Sequence, residues 1–218
     1  MRPLPFFCNF DHEGQETAMV KKTEKQTEQR SCSWADRSPE EQVYHDTEWG
    51  TPIWDDQKMF EFLILENMQA GLSWTLILKR REAMRKAFDG FDLQTVAAYD
   101  ESKEQELLKN PDIIRNRLKI KALARNANAF IEVQKEFGSF QAYIWSFTDG
   151  KTVTGHWQTE GEVPAASDLS DRVSKAMKKR GFTFVGSTII YSFLQAIGIV
   201  NDHITTCPRY KELMDKEH

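Results

Sequence analysis

An all-α fold is expected from three observations. Apolar residues recur at i, i+3 and i+4 spacing in one segment after another, a Ser or Asp stands just ahead of several of these segments, and strand-like and helix-like runs do not alternate. The first such segment follows Asp55 and Asp56, either of which can cap it, and carries Met59, Phe60, Leu63, Ile64 and Met68 before Gly71 closes it. Ser73 can cap the next, which turns Leu76, Ile77, Met84, Ala87 and Phe88 inward and Lys79, Arg80, Arg81 and Arg85 outward. Asp89-Gly90 breaks the chain. Residues 93–99 and 101–109 read as short helices, the second stopped by Asn110-Pro111. Residues 117–137 form a long helix on Ile120, Leu123, Ala127, Phe130 and Val133. Gly138-Ser139 ends it and caps 140–147.

Residues 149–164, with Gly150, Gly155, Gly161 and no helical period, read as a loop with a short hairpin around 151–157. Ser167 caps 168–180, and 184–199, the most apolar stretch, forms a helix through the core. One domain over 32–210 is expected. Residues 1–31 are expected to be a poorly ordered tail, since 20–30 is almost wholly polar, and 211–218 a polar C-terminal tail.

Composition narrows the function classes. No apolar run is long enough to span a bilayer, so no membrane role is expected. The start lacks a secretory core, and three cysteines cannot build a disulfide framework, so a reduced, cytoplasmic protein, taken as a monomer, is expected. The net charge is −4, yet its distribution is uneven. Windows 79–86, 115–125 and 175–180 hold 14 of the 29 basic residues and a single acid, Glu82. Each alone is a solvated helix face; brought together they would make one positive surface for a polyanion.

Cys32-x12-His45 and His203-x3-Cys207 stand at the two ends of the folded part. Two thiolates and two imidazoles are a complete tetrahedral shell for zinc, and a shell with no open position is structural. The competing reading is two buried free thiols and two unrelated histidines. Near the first pair lie Tyr44 and Trp49. Glu66 sits on the apolar helix, and Trp74 follows the turn at Gly71-Leu72. Glu66 is either a solvated carboxylate at a helix edge or a desolvated pocket acid with a raised pKa. Trp49 and Trp74 are either core residues or the walls of a pocket for a planar, cationic base. Residues 178–188 join a basic helix end to the apolar helix through Gly181 and Gly186. That is the pattern of a helix-hairpin-helix grip, in which backbone N–H groups and the Lys179 and Arg180 charges hold phosphate.

Several motifs in one order carry a resemblance. They are Cys32-Ser33-Trp34, Tyr44-His45-Asp46 with Glu48-Trp49-Gly50, Leu65-Glu66 with Ala70-Gly71-Leu72-Ser73-Trp74, Ile113-Ile114-Arg115-Asn116-Arg117, Lys178-Lys179-Arg180-Gly181-Phe182, and Val200-Asn201-Asp202-His203. Together they resemble the bacterial 3-methyladenine-DNA glycosylase I family, a branch of the helix-hairpin-helix glycosylase superfamily, from Cys32 to Cys207.

The resemblance implies an all-α helix-hairpin-helix glycosylase domain that flips 3-methyladenine out of alkylated duplex DNA and hydrolyses its N-glycosidic bond, without lyase activity. It implies one structural Zn2+ held by Cys32, His45, His203 and Cys207. It places Glu66 as the catalytic residue, at the polar edge of the base, and Tyr44, Trp49 and Trp74 around the base. Gly71 and Leu72 become a wedge, and Lys179, Arg180, Gly181, Gly186 and Ser187 the phosphate grip. Asp202, beside a zinc ligand, is expected to orient the His203 imidazole. In one departure, Glu41 stands where the family often has a tyrosine. The rival reading is a non-catalytic, zinc-stabilised DNA-binding module.

Overall fold

The computed structural model of the chain describes residues 32–215; the expected tail over 1–31 lies outside them. A short 3-10 turn, Ser33–Arg37, leads into α1 (Pro39–Thr47), α2 (Asp56–Gln69) and α3 (Trp74–Ala87). Then follow α4 (Leu93–Ala97), α5 (Glu101–Lys109), α6 (Arg117–Phe137) and α7 (Phe140–Trp145). After β1 (Val153–Thr154) come α8 (Asp168–Lys179), α9 (Ser187–Ala196), β2 (Val200–Asn201) and α10 (Pro208–Asp215). The protein is mostly helical, as expected. No described helix is long and apolar enough to cross a membrane.

The centre of the domain is α2. Every residue from Met59 to Met68 is buried, because α3, α6, α7 and α9 pack around it. Its start is fixed twice: Asp55 caps Lys58 N, while the Asp56 carboxylate accepts from Gln134 Nε2 and from the backbone of Phe140 and Gln141. Side-chain caps open the other helices too: Ser38, Ser73, Asp92, Asp100, Asn116, Ser139 and Ser167 each accept from a backbone N–H of the following turn. Each such cap contributes about 1 kcal/mol. Only α9 among α1–α9 opens without one, at Gly186.

Arg81 ties the first three helices together. Its guanidinium grips Glu48 bidentately (2.7 and 2.9 Å) and donates to Glu61 at 2.7 Å. That cation holds both carboxyls below the usual range although their burial pushes the other way.

Three expectations are corrected, and one helix is added. The 151–157 hairpin does not form: Val153 pairs with Val200 in a parallel two-residue ladder, because Val153 N and Gly155 N donate to Ile199 O and Asn201 O. A hairpin would need its partner nearby, whereas this one lies 47 residues on. Gly155 is required there, since a Cβ would collide with the Trp157 indole and the Asp202 carboxylate. The apolar helix expected over 184–199 starts only at Ser187, because Phe184 takes a left-handed φ of 56°. The stretch from 211 is not a plain polar tail: α10 continues to Asp215 and buries Leu213. Finally, α1 is a helix that its polar sequence concealed.

Candidate active site

The four candidate ligands converge. Cys32 Sγ lies 3.7 Å from His203 Nδ1, and Cys207 Sγ lies 3.5 Å from both His203 Nδ1 and His45 Nε2. All four ligand atoms fall within 4.8 Å of one another and all four residues are buried. Tetrahedral bonds of about 2.0–2.3 Å to N and S require ligand separations of about 3.3–3.8 Å, so the spacing suits zinc. The outer imidazole nitrogens are already directed: His45 Nδ1 sits 2.8 Å from Asp46 Oδ1, and His203 Nε2 3.1 Å from Trp49 O. The Cys32 thiol, His203 and His45 all hydrogen-bond Cys207 and push its pKa far down, favouring a thiolate. The donor set therefore fits a closed metal site. The expected role of Asp202 is corrected here. It does not orient His203; its carboxylate accepts from Trp157 Nε1 (2.7 Å), Tyr191 OH (2.5 Å) and Gln195 Nε2 (2.7 Å).

Beside this cluster opens a cavity of about 390 Å³. Glu66, Tyr44, Trp49 and Trp74, all named from the sequence, line it together. Trp34 stands edge-on to Trp49 at 4.9 Å, and Tyr44 lies tilted against Trp74 at 5.2 Å. Glu66 is only 4% exposed, so the solvated helix-edge alternative is excluded. Burial pushes its pKa up to about 8. The neighbouring Glu66 charge adds to burial in raising Tyr44, which therefore stays a neutral phenol. The buried Trp74 Nε1–H has no hydrogen-bond partner among the described residues.

Sequence reasoning gave no cavity role to Trp34, Trp157 and Gln195, placed Asp202 beside the metal ligands instead, and marked Glu41 only as a departure from the family pattern. All but Trp157 line the cavity, and Trp157 closes it from behind through its bond to Asp202. It also missed Asn67 and Asn126. Asn126 Nδ2 donates to Asn67 Oδ1 at 2.6 Å, Asn67 Nδ2 donates to Phe184 O, and Thr183 N donates to Asn126 Oδ1. This pair fastens the segment before α9 to α2, one residue from Glu66. An asparagine on each of two otherwise apolar helix faces was the available signal.

The turn between α2 and α3 is exposed. Gly71 has a φ of 78° that favours glycine, and Leu72 stands out beside it. Lys119 Nζ holds the turn from below through Met68 O and Ala70 O. The three basic windows are thus partly consumed internally: Lys119 is buried, Arg80 donates to Pro111 O and Ile113 O, Arg81 and Arg85 reach Glu61, and Arg180 pairs with Glu136 at 2.9 Å. Lys79, Lys86, Arg115, Arg117, Lys121, Arg125, Lys175, Lys178 and Lys179 stay exposed. Surface depressions link these segments. One joins Leu72, Leu76 and Arg80 to Arg115; another joins Lys121 and Arg125 to Thr183 and Phe184. Gly181 is exposed, and Gly186 and the Ser187 hydroxyl, 2.7 Å from Ser170 Oγ, mark the open start of α9.

Known proteins are similar to this chain in sequence and fold. A profile of the methyladenine glycosylase family matches residues 34–210. The Escherichia coli (strain K12) DNA-3-methyladenine glycosylase 1 is 44% identical over 179 residues, covering 82% of this chain and 96% of that protein. A crystal structure of a 3-methyladenine DNA glycosylase I superposes with a TM-score of 0.80 at 45% identity, over 82% of this chain and 98% of that one. A variant 3-methyladenine DNA glycosylase I in complex with 3-methyladenine gives 0.79 at 32% identity, over 82% and 96%.

Proposed function

The chain belongs to the methyladenine glycosylase family, and from that premise we propose that it is a monofunctional DNA glycosylase releasing 3-methyladenine from alkylated duplex DNA. One observation carries this reading: a fully buried carboxyl, Glu66, in a cavity walled by Tyr44, Trp49 and Trp74. N3-alkylation gives the base a positive charge and makes it a good leaving group. The enzyme then has little need for a strong acid; binding, orientation and a dry electrostatic pocket carry most of the acceleration.

The damaged nucleotide is extruded into the cavity, at a lower unstacking cost than a sound one. Tyr44 and Trp74 face the cation, contributing about 0.5–2 kcal/mol that a neutral adenine does not receive. In the empty cavity burial keeps Glu66 protonated below pH about 8. An arriving cation favours its ionised form, so Glu66 gives up its proton to solvent as the base enters and accepts from the base. The Trp74 Nε1–H is available to an acceptor atom of the same ring. Leu72 fills the vacated stack. α8 and α9, joined through Gly181 and Gly186, act as the helix-hairpin-helix grip. The uncapped N–H groups at the start of α9 take phosphate oxygens, with Lys179 and, on release from Glu136, Arg180 adding charge.

Cys32, His45, His203 and Cys207 would hold one Zn2+, which supplies a cross-link between the two ends of the domain and no chemistry on the substrate. Chromatography of bases released from methylated duplex DNA by the purified chain tests the reading. Free 3-methyladenine is expected; its absence leaves only a DNA-binding module.

A further inference from the structure

Arg37 stands at the mouth of the cavity. Of the residues that line it, Arg37 alone is exposed and Arg37 alone is a cation; the other charged members are carboxyls, Glu41, Glu66, Glu160 and Asp202. Its guanidinium has no hydrogen bond and no ion pair among the described residues. The backbone that carries it is held on both sides. Arg37 closes the 3-10 turn Ser33–Arg37, whose start is fastened to the Glu160 carboxylate: Ser33 Oγ donates to it at 2.9 Å and Trp34 N at 3.2 Å. The next residue, Ser38, accepts from Glu41 N at 3.1 Å and so opens α1. A fixed backbone thus presents an unpaired cation to whatever crosses the rim.

An extruded nucleotide enters base first. Its phosphates stay at the mouth, since a charge taken out of water without a counter-charge is costly. Crossing this rim also brings a polyanion towards the cavity's carboxyl groups, and any of these that is ionised opposes the approach. A cation at the rim offsets that repulsion where it is greatest. We infer that Arg37 is a positioning residue that binds a phosphate flanking the extruded nucleotide and so holds the strand at the mouth while the base is inside. Its planar fork can donate to two phosphate oxygens at once. The inference rests on the glycosylase reading. It adds a backbone contact at the cavity itself, outside the three basic windows and the grip at the start of α9.

Release of 3-methyladenine from methylated duplex DNA by the full chain tests it, with kcat/KM followed from about 50 to 200 mM salt. One cation on one phosphate contributes about 0.9 to the slope of log(kcat/KM) against log salt. Arg37→Gln is expected to lower kcat/KM about fivefold at the low-salt end and to flatten the slope by about 0.9. The same variant is expected to bind free 3-methyladenine, followed by tryptophan fluorescence, as tightly as wild type. Arg37→Lys keeps the charge and is expected to keep the slope. A slope unmoved by Arg37→Gln, or a free base bound more weakly by that variant, overturns the role of Arg37 and leaves the glycosylase reading intact. A wild type that releases no 3-methyladenine overturns that reading, and this one with it.

Discussion

The Cys32–His45–His203–Cys207 cluster and the cavity beside it are both buried and polar, and Trp49 borders both, yet they treat hydrogen-bonding capacity in opposite ways. In the cluster every polar atom faces another: sulfur meets imidazole, and the outer nitrogens meet Asp46 and the Trp49 carbonyl. In the cavity Glu41 Oε2 and Trp74 Nε1 meet no partner among the described residues, and burial raises the Glu66 pKa with no opposing partner. A set of groups that satisfies itself stabilises the fold. A set left unsatisfied is stabilised only by something that arrives from outside.

The comparison breaks most visibly at the cluster. Cys207→Ala, or chelation of the wild type, withdraws metal-binding free energy on the order of 10 kcal/mol. The melting temperature is expected to fall by more than about 10 °C, with base release lost only as the fold is lost. An unchanged melt would show that the four residues hold no metal.

At the cavity the expectation reverses. Glu66→Gln should cut kcat/KM for base release by about 100-fold or more while stabilising the protein in base. The sign follows from a folded-state pKa raised to about 8 over the ordinary 4.5. That group's contribution is full below pH about 4.5 and is lost as pH rises through about 8. Wild type should therefore lose up to about 5 kcal/mol relative to Glu66→Gln across that window. Parallel melting curves from pH 4.5 to 9 for the two proteins would contradict the buried carboxyl. The smallest effect is at the exposed turn: Leu72→Ala should leave stability unchanged and lower kcat/KM about tenfold, by removing roughly 1–2 kcal/mol of apolar contact with the opened stack.

How much of each region was legible in the sequence follows the same division. The helices around α2 were readable because a periodic apolar face and a capping Ser, Asp or Asn are local signals. The cluster was readable because cysteine and histidine are scarce here and chemically specific, although its members are up to 175 positions apart. α1 escaped notice because its inward residues, Glu41, Tyr44 and His45, are not apolar in the ordinary sense; Ser38-Pro39 was the available signal, a cap followed by a first-turn proline. The β1–β2 ladder and the far wall of the cavity were not readable. A two-residue pairing across 47 positions has no periodicity, and Trp157, Gln195 and Asp202 come together only once Gly155 lets the two strands close on them.

Trp49 gives this layout a practical consequence. Its indole centroid stands 4.5 Å from the His203 ring, its carbonyl accepts from the same imidazole, and its side chain borders the cavity. A single chromophore thus touches both halves of the molecule. Its fluorescence would register events at the cysteines and histidines as well as the entry of a purine, so the protein carries an intrinsic optical gauge of the coupling between its buckle and its substrate chamber.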